Sequence, residues 1–232
     1  MQTVQVISGG AAHGLVRALS AQLAQRNVAI EGSFGAVGAM RDKLLAGTPC
    51  DLLILTDTLI AELTKQGHVV PGSARPVGRV PTGIGVRAGE SRPDITNGRS
   101  LAAFLSNARA LYVPDTVKST AGQHVAKVLR DLGIGEQMAG RLREFPNGAT
   151  AMREMAASGE SGVVGCTQRT EILDTPGVQW VGALPQGYDL AAIYTAAVCA
   201  RASDRDAAAR CVDLLASQAA AQARRDAGFD PL

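Results

Sequence analysis

The sequence predicts an α/β protein built as two lobes, and three observations carry that expectation. Short apolar runs alternate with segments of helical spacing from the first residues onward. The alternation breaks once, between residues 67 and 99, where Pro71, Pro76, Pro81 and Pro93 cluster with several glycines, and then resumes. Aromatic residues make up only 3% of the chain, so the core has to be assembled from small aliphatic side chains. Strands covered by helices pack such side chains in closely spaced layers, and 232 residues are enough to fill two lobes of that kind.

Val4, Val6 and Ile7 form the first expected strand, Ser8-Gly9-Gly10-Ala11 a glycine-rich turn, and Leu15, Leu19 and Leu23, with Val16 and Ala18 beside them, an apolar stripe at helical spacing. Val28 to Phe34 reads as a second strand. After Gly35, Met40, Leu44 and Leu45 lie on a helix that stops at Gly47, a residue suited to a left-handed C-cap. Leu52 to Leu55 is a continuous apolar run, as expected of a strand buried on both faces. Asp57 is placed to cap a helix from Leu59 to Gln66, which Gly67 closes.

Within the proline-rich stretch one strand is expected, Gly83 to Arg87, with a lobe boundary near residue 80. Beyond it come a short helix from Ser100, a strand from Ala110 to Val113, and a helix starting near Ser119 with Val125, Val128, Leu129 and Leu132 on one face. A helix around Met138, a helix from Ala149 to Ala157 and a strand from Gly162 to Gly165 follow. Ala191 to Cys199 reads as an apolar strand, and a long helix from Ser203 to Ala227 ends the chain, with Ser203 and Asp206 at capping-box spacing.

Charge excludes several classes of partner. The 23 basic and 21 acidic side chains are interspersed and sum to +2, which leaves no electrostatic footprint for nucleic acid or an anionic membrane surface. No apolar run approaches the roughly 20 residues needed to span a bilayer, so no membrane insertion is expected. The N-terminus lacks a basic region, an apolar region and a cleavage site, which predicts a cytoplasmic protein as the sequence stands, or a periplasmic one if a signal peptide has been removed. Cys50, Cys166, Cys199 and Cys211 show neither CxxC nor Cys/His ligand spacing, so the expectation is four reduced thiols, no metal and no cofactor.

Several segments together resemble the periplasmic molybdate-binding proteins, a family of the type II periplasmic solute-binding fold. They are Val4 to Leu23, Gly32-Ser-Phe-Gly35 with the helix after it, and Ala46-Gly-Thr-Pro-Cys-Asp-Leu-Leu-Ile-Leu-Thr-Asp57. Val113-Pro-Asp115 with Ala121-Gly122, Gly162-Val-Val-Gly165 and Ala227-Gly-Phe229 complete a match that runs over nearly the whole chain. Ala46 to Asp57 is the most specific of them. The resemblance implies two three-layer α/β lobes around a central cleft, with residues 1–80 in lobe I, 81–188 in lobe II and 189–232 returning to lobe I.

It also implies where a ligand binds. Helix starts that follow strands offer unpaired amides and a favourable dipole to an anion, and glycine lets the ligand approach the backbone. The expected ligand-binding positions are Ser8, Gly9, Gly10 and Ala11; Gly35, Ala36 and Val37; Lys118, Ser119, Thr120 and Ala121; Asn147 and Gly148; and Gly165, Cys166 and Thr167. Molybdate is held in the family by serine hydroxyls in the first two turns and a tyrosine in the last. The matching positions here are Ala11, Ala36-Val37-Gly38 and Gly165, so those hydroxyls are missing. Each lost hydrogen bond to an anion costs about 1.5–3 kcal/mol, and glycine in place of tyrosine predicts a roomier site. A di- or tricarboxylate is therefore the expected ligand.

Two functions follow. One is a binding protein that clamps a small anion, with an ABC permease as partner if it is exported. The other is an enzyme on the same scaffold, since aconitate isomerase is similar to this family and moves a proton along an allylic tricarboxylate. That chemistry needs one acid/base group, for which His13 and Lys118 are the candidates. Against these stand plainer readings: an exposed histidine at a helix start, and a solvated lysine beside the N-cap Ser119 or Thr120. Cys166 in aliphatic surroundings is expected to pack rather than react.

Overall fold

A computed structural model describes all residues from Met1 to Leu232. In chain order the elements are β1 (Gln2–Gly9), α1 (His13–Ala18), α2 (Ser20–Gln25), β2 (Val28–Gly35), α3 (Val37–Leu45), β3 (Leu52–Thr56), α4 (Asp57–Lys65) and β4 (Arg75–Arg87). Then come α5 (Gly98–Asn107), β5 (Ala110–Pro114), α6 (Thr120–Asp131), α7 (Gly135–Ala139), β6 (Leu142–Phe145), α8 (Gly148–Ala157), β7 (Val163–Gln168), α9 (Arg169–Leu173) and β8 (Val178–Ala183). β9 (Ala191–Val198), α10 (Arg205–Ala216) and α11 (Ala221–Asp226) complete the chain. The class is α/β, as the alternation predicts. The chain divides into two compact units, Met1–Val80 with Ala192–Leu232, and Pro81–Ala191.

In the first unit β1 lies between β2 and β3, all parallel, and β9 adds antiparallel to β3 with Leu52 opposite Val198. All five residues of β3 are buried, the outcome expected of an apolar run without alternation. Leu15, Leu19 and Leu23 are buried in the core of this unit with Leu53 and Leu55, and α10 adds Ala208, Cys211, Val212 and Leu215. Alanine at the contact positions of α10 lets its backbone lie close to the sheet.

In the second unit β7 is parallel to β5 and antiparallel to β4, β6 is parallel to β5, and β8 pairs with β4. Successive strand residues go to opposite faces, and the cores follow that alternation. Leu111, Val113, Val164 and Cys166 join one cluster with Val125 and Leu129 of α6, whereas Ala110, Tyr112 and Val163 join another with Met152 and Met155 of α8. The sheet is therefore covered on both sides.

Several elements differ from the sequence expectation. The first helix is divided: residues Gly10–Ala12 form a 3-10 turn, and Leu19 (φ −91°, ψ 0°) separates α1 from α2. Asp57 is the first residue of α4 rather than its cap, since Thr56 holds the N-cap position. β4 is 13 residues long and runs through Pro76 and Pro81. A proline removes only its own donor, and the neighbouring backbone groups pair regardless, Arg79 with Asp230 and Thr82 with Leu190 and Leu184. The terminal helix is broken at Ser217 (ψ 159°), and Asp204, not Ser203, caps α10 by accepting the Ala207 amide. β6, β8 and α9 have no counterpart in the sequence expectation; their burial patterns lack clear alternation or a long apolar face.

Candidate functional site

β1 and β2 run in register, with Ser8 beside Phe34 and Gly9 beside Gly35, so the turns that leave them are neighbours at one edge of the sheet. A Cβ on Gly9 would meet Tyr194 Cε1 at 2.7 Å and Val37 Cγ1 at 2.8 Å, which requires glycine there. The chain turns through Gly10, Ala11 and Ala12 into α1, and α3 starts at Val37 after Ala36. Neither start receives a side-chain cap. The His13 amide that opens α1 is taken by the Gly10 carbonyl, but Gly9 before the 3-10 turn and Ala36 before α3 have no side-chain oxygen, so an external acceptor at these two turns meets no competitor from the cap residue. Ser8 is buried and its hydroxyl donates to the Gly9 carbonyl at 2.9 Å.

His13 is exposed at the first position of α1, with its ring edge-on to Phe34 at 5.0 Å between centroids. It lines a cavity of about 500 Å³ with Arg17, Val16, Leu23, Ile30 and Phe34. Most of that lining is apolar, with three polar side chains, those of His13 and Arg17 on α1 and of Ser20 on α2.

In the second unit Lys118 is exposed, and its amide donates to Asp115 Oδ1 at 2.8 Å. Val117 does the same, and the Lys118 and Val117 amides hold the Asp115 carboxyl below the usual range. Ser119 caps α6, its Oγ accepting from the Gly122 amide at 3.4 Å, which leaves Thr120 and Ala121 in the first turn. Asn147 caps α8 through the Thr150 amide at 2.8 Å.

At α8 the expectation of bare amides needs correction. The Gly148 and Ala149 amides donate to the carboxylate of Glu171, which also accepts from the Gln168 amide and from Thr167 Oγ1 at 2.6 Å. Glu171 is buried, and burial, the largest influence, pushes its carboxyl up, with these four donors opposing. An internal carboxylate thus occupies the helix start where an external anion was expected. Glutamate is seldom buried, and nothing in Thr167-Gln-Arg-Thr-Glu171 signals that this one is.

Cys166 and Thr167 do not follow the strand; β7 continues to Gln168, and Gly165, Cys166 and Thr167 are all buried within it. Gly165 opens no space, because a Cβ there would meet Met152 Cε at 2.3 Å and Met152 Sδ at 2.6 Å. The expected roominess from a missing tyrosine is filled by methionine. Burial pushes the Cys166 thiol up to about 12, so it is protonated and inert at neutral pH. Thr82 is a polar residue that sequence reasoning missed: it lies opposite Gln168 in the β4–β7 ladder, and its hydroxyl is buried without a hydrogen-bond partner.

No group of three or more His, Cys, Asp or Glu side chains is placed to hold a metal ion, and no helix is long and apolar enough to cross a membrane. The family model for bacterial extracellular solute-binding proteins matches residues 4–230. The chain belongs to this family.

Among solute-binding structures, the periplasmic molybdate-binding protein of Azotobacter vinelandii superposes with a TM-score of 0.82 at 17% identity, over 99% of both chains. The sulfate-binding protein SubI of Mycobacterium tuberculosis H37Rv gives 0.74 at 21% identity, over 100% of this chain and 88% of that one. The fold is that of the periplasmic solute-binding proteins. In sequence the chain is also similar to an aconitate isomerase of a Pseudomonas species, 25% identical over 237 aligned positions that cover 99% of this chain and 88% of that protein.

Proposed function

We propose that this solute-binding protein takes a small organic di- or tricarboxylate in preference to molybdate, and that it does so outside the cytoplasmic membrane in partnership with an ABC permease. The observation that carries this reading is the pair of uncapped helix starts, at Gly10–Ala12 and at Ala36–Val37, side by side at the edge of a parallel sheet. Amides so placed attract negative charge. With alanine and valine where hydroxyls would grip a compact tetrahedral oxyanion, the favoured ligand is one that brings several carboxylate oxygens. Within the second unit, the α6 start with Thr120, Ala121 and neighbouring Lys118 is proposed separately as an anion-attracting turn. Asn147 and Gly148 are left out, since Glu171 already holds that helix start.

A thermal-shift panel tests the proposal. Citrate or trans-aconitate at about 100 times its dissociation constant should add roughly 2.7 kcal/mol of stability. Molybdate and sulfate should shift the melting point less; if either gives the largest shift, the carboxylate reading fails. Ala36→Asp is a sharper probe. Its carboxylate should cap α3 and satisfy the same amides, so that ligand binding is lost while melting shows whether the buried position accepts the charge.

The likeness to an aconitate isomerase favours a second reading, in which the bound tricarboxylate is also isomerised. His13, at the start of α1, is the proposed acid/base group. Conversion of trans- to cis-aconitate that disappears in His13→Ala, with the thermal shift retained, would establish it. A thermal shift with no conversion would leave the binding protein.

A further inference from the structure

We infer that Cys50 and Cys199 form a redox modification site, a pair of thiols that a small-molecule disulfide oxidises to a bond between the segment entering β3 and the end of β9. The two cysteines flank the whole second unit in sequence. The antiparallel β3–β9 ladder nevertheless brings them together: Leu52 lies opposite Val198, and the Cys199 amide donates to the Asp51 carbonyl at 2.9 Å, one residue from Cys50. A disulfide spans roughly 4.4–6.8 Å between Cα atoms, and paired antiparallel strands lie about 5 Å apart.

The side chains meet as well. The Cys50 thiol donates to the Leu52 carbonyl at 3.3 Å, and the Cys199 thiol lies near enough to act on it electrostatically. Both line one cavity of about 160 Å³, whose wall includes His68 and Arg201. Cys166 and Cys211 lie on other elements, β7 and α10, and do not reach it.

With glutathione disulfide as oxidant, one cysteine gives up its proton and attacks a glutathione sulfur. The glutathione thiolate released takes that proton, leaving a mixed disulfide. The second cysteine then loses its proton and attacks the mixed disulfide, forming the protein S–S bond and releasing a second glutathione, which is protonated in turn. Two protein thiols are oxidised and one small disulfide is reduced to two thiols. In the folded protein the neighbouring Cys199 thiol and burial push the Cys50 thiol up, so the thiolate is scarce and exchange is slow. Oxidation is therefore fastest while the chain folds.

The test is to refold the full chain in a glutathione redox buffer and, in parallel, under a reductant, then alkylate free thiols, measure intact mass and map peptides. The expected result is two protected thiols, a Cys50–Cys199 cross-linked peptide, and an oxidised form that melts higher by on the order of 5–10 °C, since the bond closes a very long loop in the unfolded chain. Cys199→Ser should lose both the cross-link and the redox dependence of melting, while Cys166→Ser and Cys211→Ser keep both. If Cys199→Ser does not fold, the wild-type peptide map decides. Four alkylatable thiols, a persistent glutathione adduct, or a cross-link through Cys166 or Cys211 would overturn the inference.

Discussion

Gly148→Ala should destabilise the protein by about 3–5 kcal/mol, because the space beside this glycine is already filled by two hydrogen-bonded side chains. A Cβ there would lie 2.0 Å from Glu171 Oε2 and 2.0 Å from Thr167 Oγ1. Neither side chain can yield without giving up the bond between them or the amides of α8. At about 2–4 °C per kcal/mol for a chain of this size, thermal melting should show a drop on the order of 10 °C. Glu171→Ala should cost a similar amount by leaving the Thr167 hydroxyl and the amides of Gly148, Ala149 and Gln168 without this acceptor. The double variant should cost much less than the two single losses combined, since the alanine at 148 then meets an empty neighbour on one side. An additive cycle would show that the crowding at Gly148 is relieved some other way.

The same carboxyl makes a pH prediction with a definite sign. Burial raises its folded-state pKa, so the folded protein holds the proton more tightly than the unfolded chain does, and its contribution to stability is fully present below the unfolded value of about 4.3. It is lost as pH rises through the raised folded value. Glu171→Gln has no such titration. The melting-temperature gap between wild type and Glu171→Gln should therefore shrink as pH climbs above about 4.3, and a gap that widens would reverse the assignment.

Asp51→Asn should be the second large loss, about 2–4 kcal/mol, from the loss of charge-assisted hydrogen bonds at a buried junction. Asp51 Oδ2 accepts the Gln5 amide at 2.8 Å, and Oδ1 accepts the Ser203 amide at 2.6 Å and the Ser203 hydroxyl at 2.8 Å. One side chain thus joins β1 to the segment that leads into α10. Here burial, the largest influence, acts to raise the carboxyl, but the combined donors of Gln5, Ser203 and Asp204 outweigh it and the net shift is downward. The stability it supplies is present above the unfolded value of about 3.9 and is lost as pH falls through the lower folded value. Melting curves of wild type and Asp51→Asn should stay separated from neutral pH down to about 4 and converge below it. Convergence at neutral pH would mean that Asp51 stabilises nothing.

Glu171 and Asp51 also mark the limit of sequence reading. Ala46 to Asp57 is the segment most specific to the family resemblance, yet the partner that makes Asp51 matter stands at position 203. The turn at Gly9 is visible as a glycine-rich stretch, but its need for glycine comes from Tyr194 and Val37, brought there by β9 and α3. Gly165 reads as the residue that opens the site, and only the packing of Met152 against β7 shows it filled. At α10 the cap is Asp204 rather than Ser203, since adjacent oxygens there are both chemically eligible, whereas Thr56 holds the N-cap position of α4 with no side-chain hydrogen bond at all.

By itself the sequence determined the α/β class, the buried strand β3, the leucine stripe of the first helices and the helix starts near Ser119 and Ala149, because each depends on spacing within a few turns of backbone. Tertiary structure alone decided which helix starts an internal carboxyl occupies, which carboxyl is buried, and which two of four cysteines line one cavity. Those outcomes depend on residues far apart in the chain arriving at one point, and the cost of burying a charge or leaving an amide unpaired is set by that arrival.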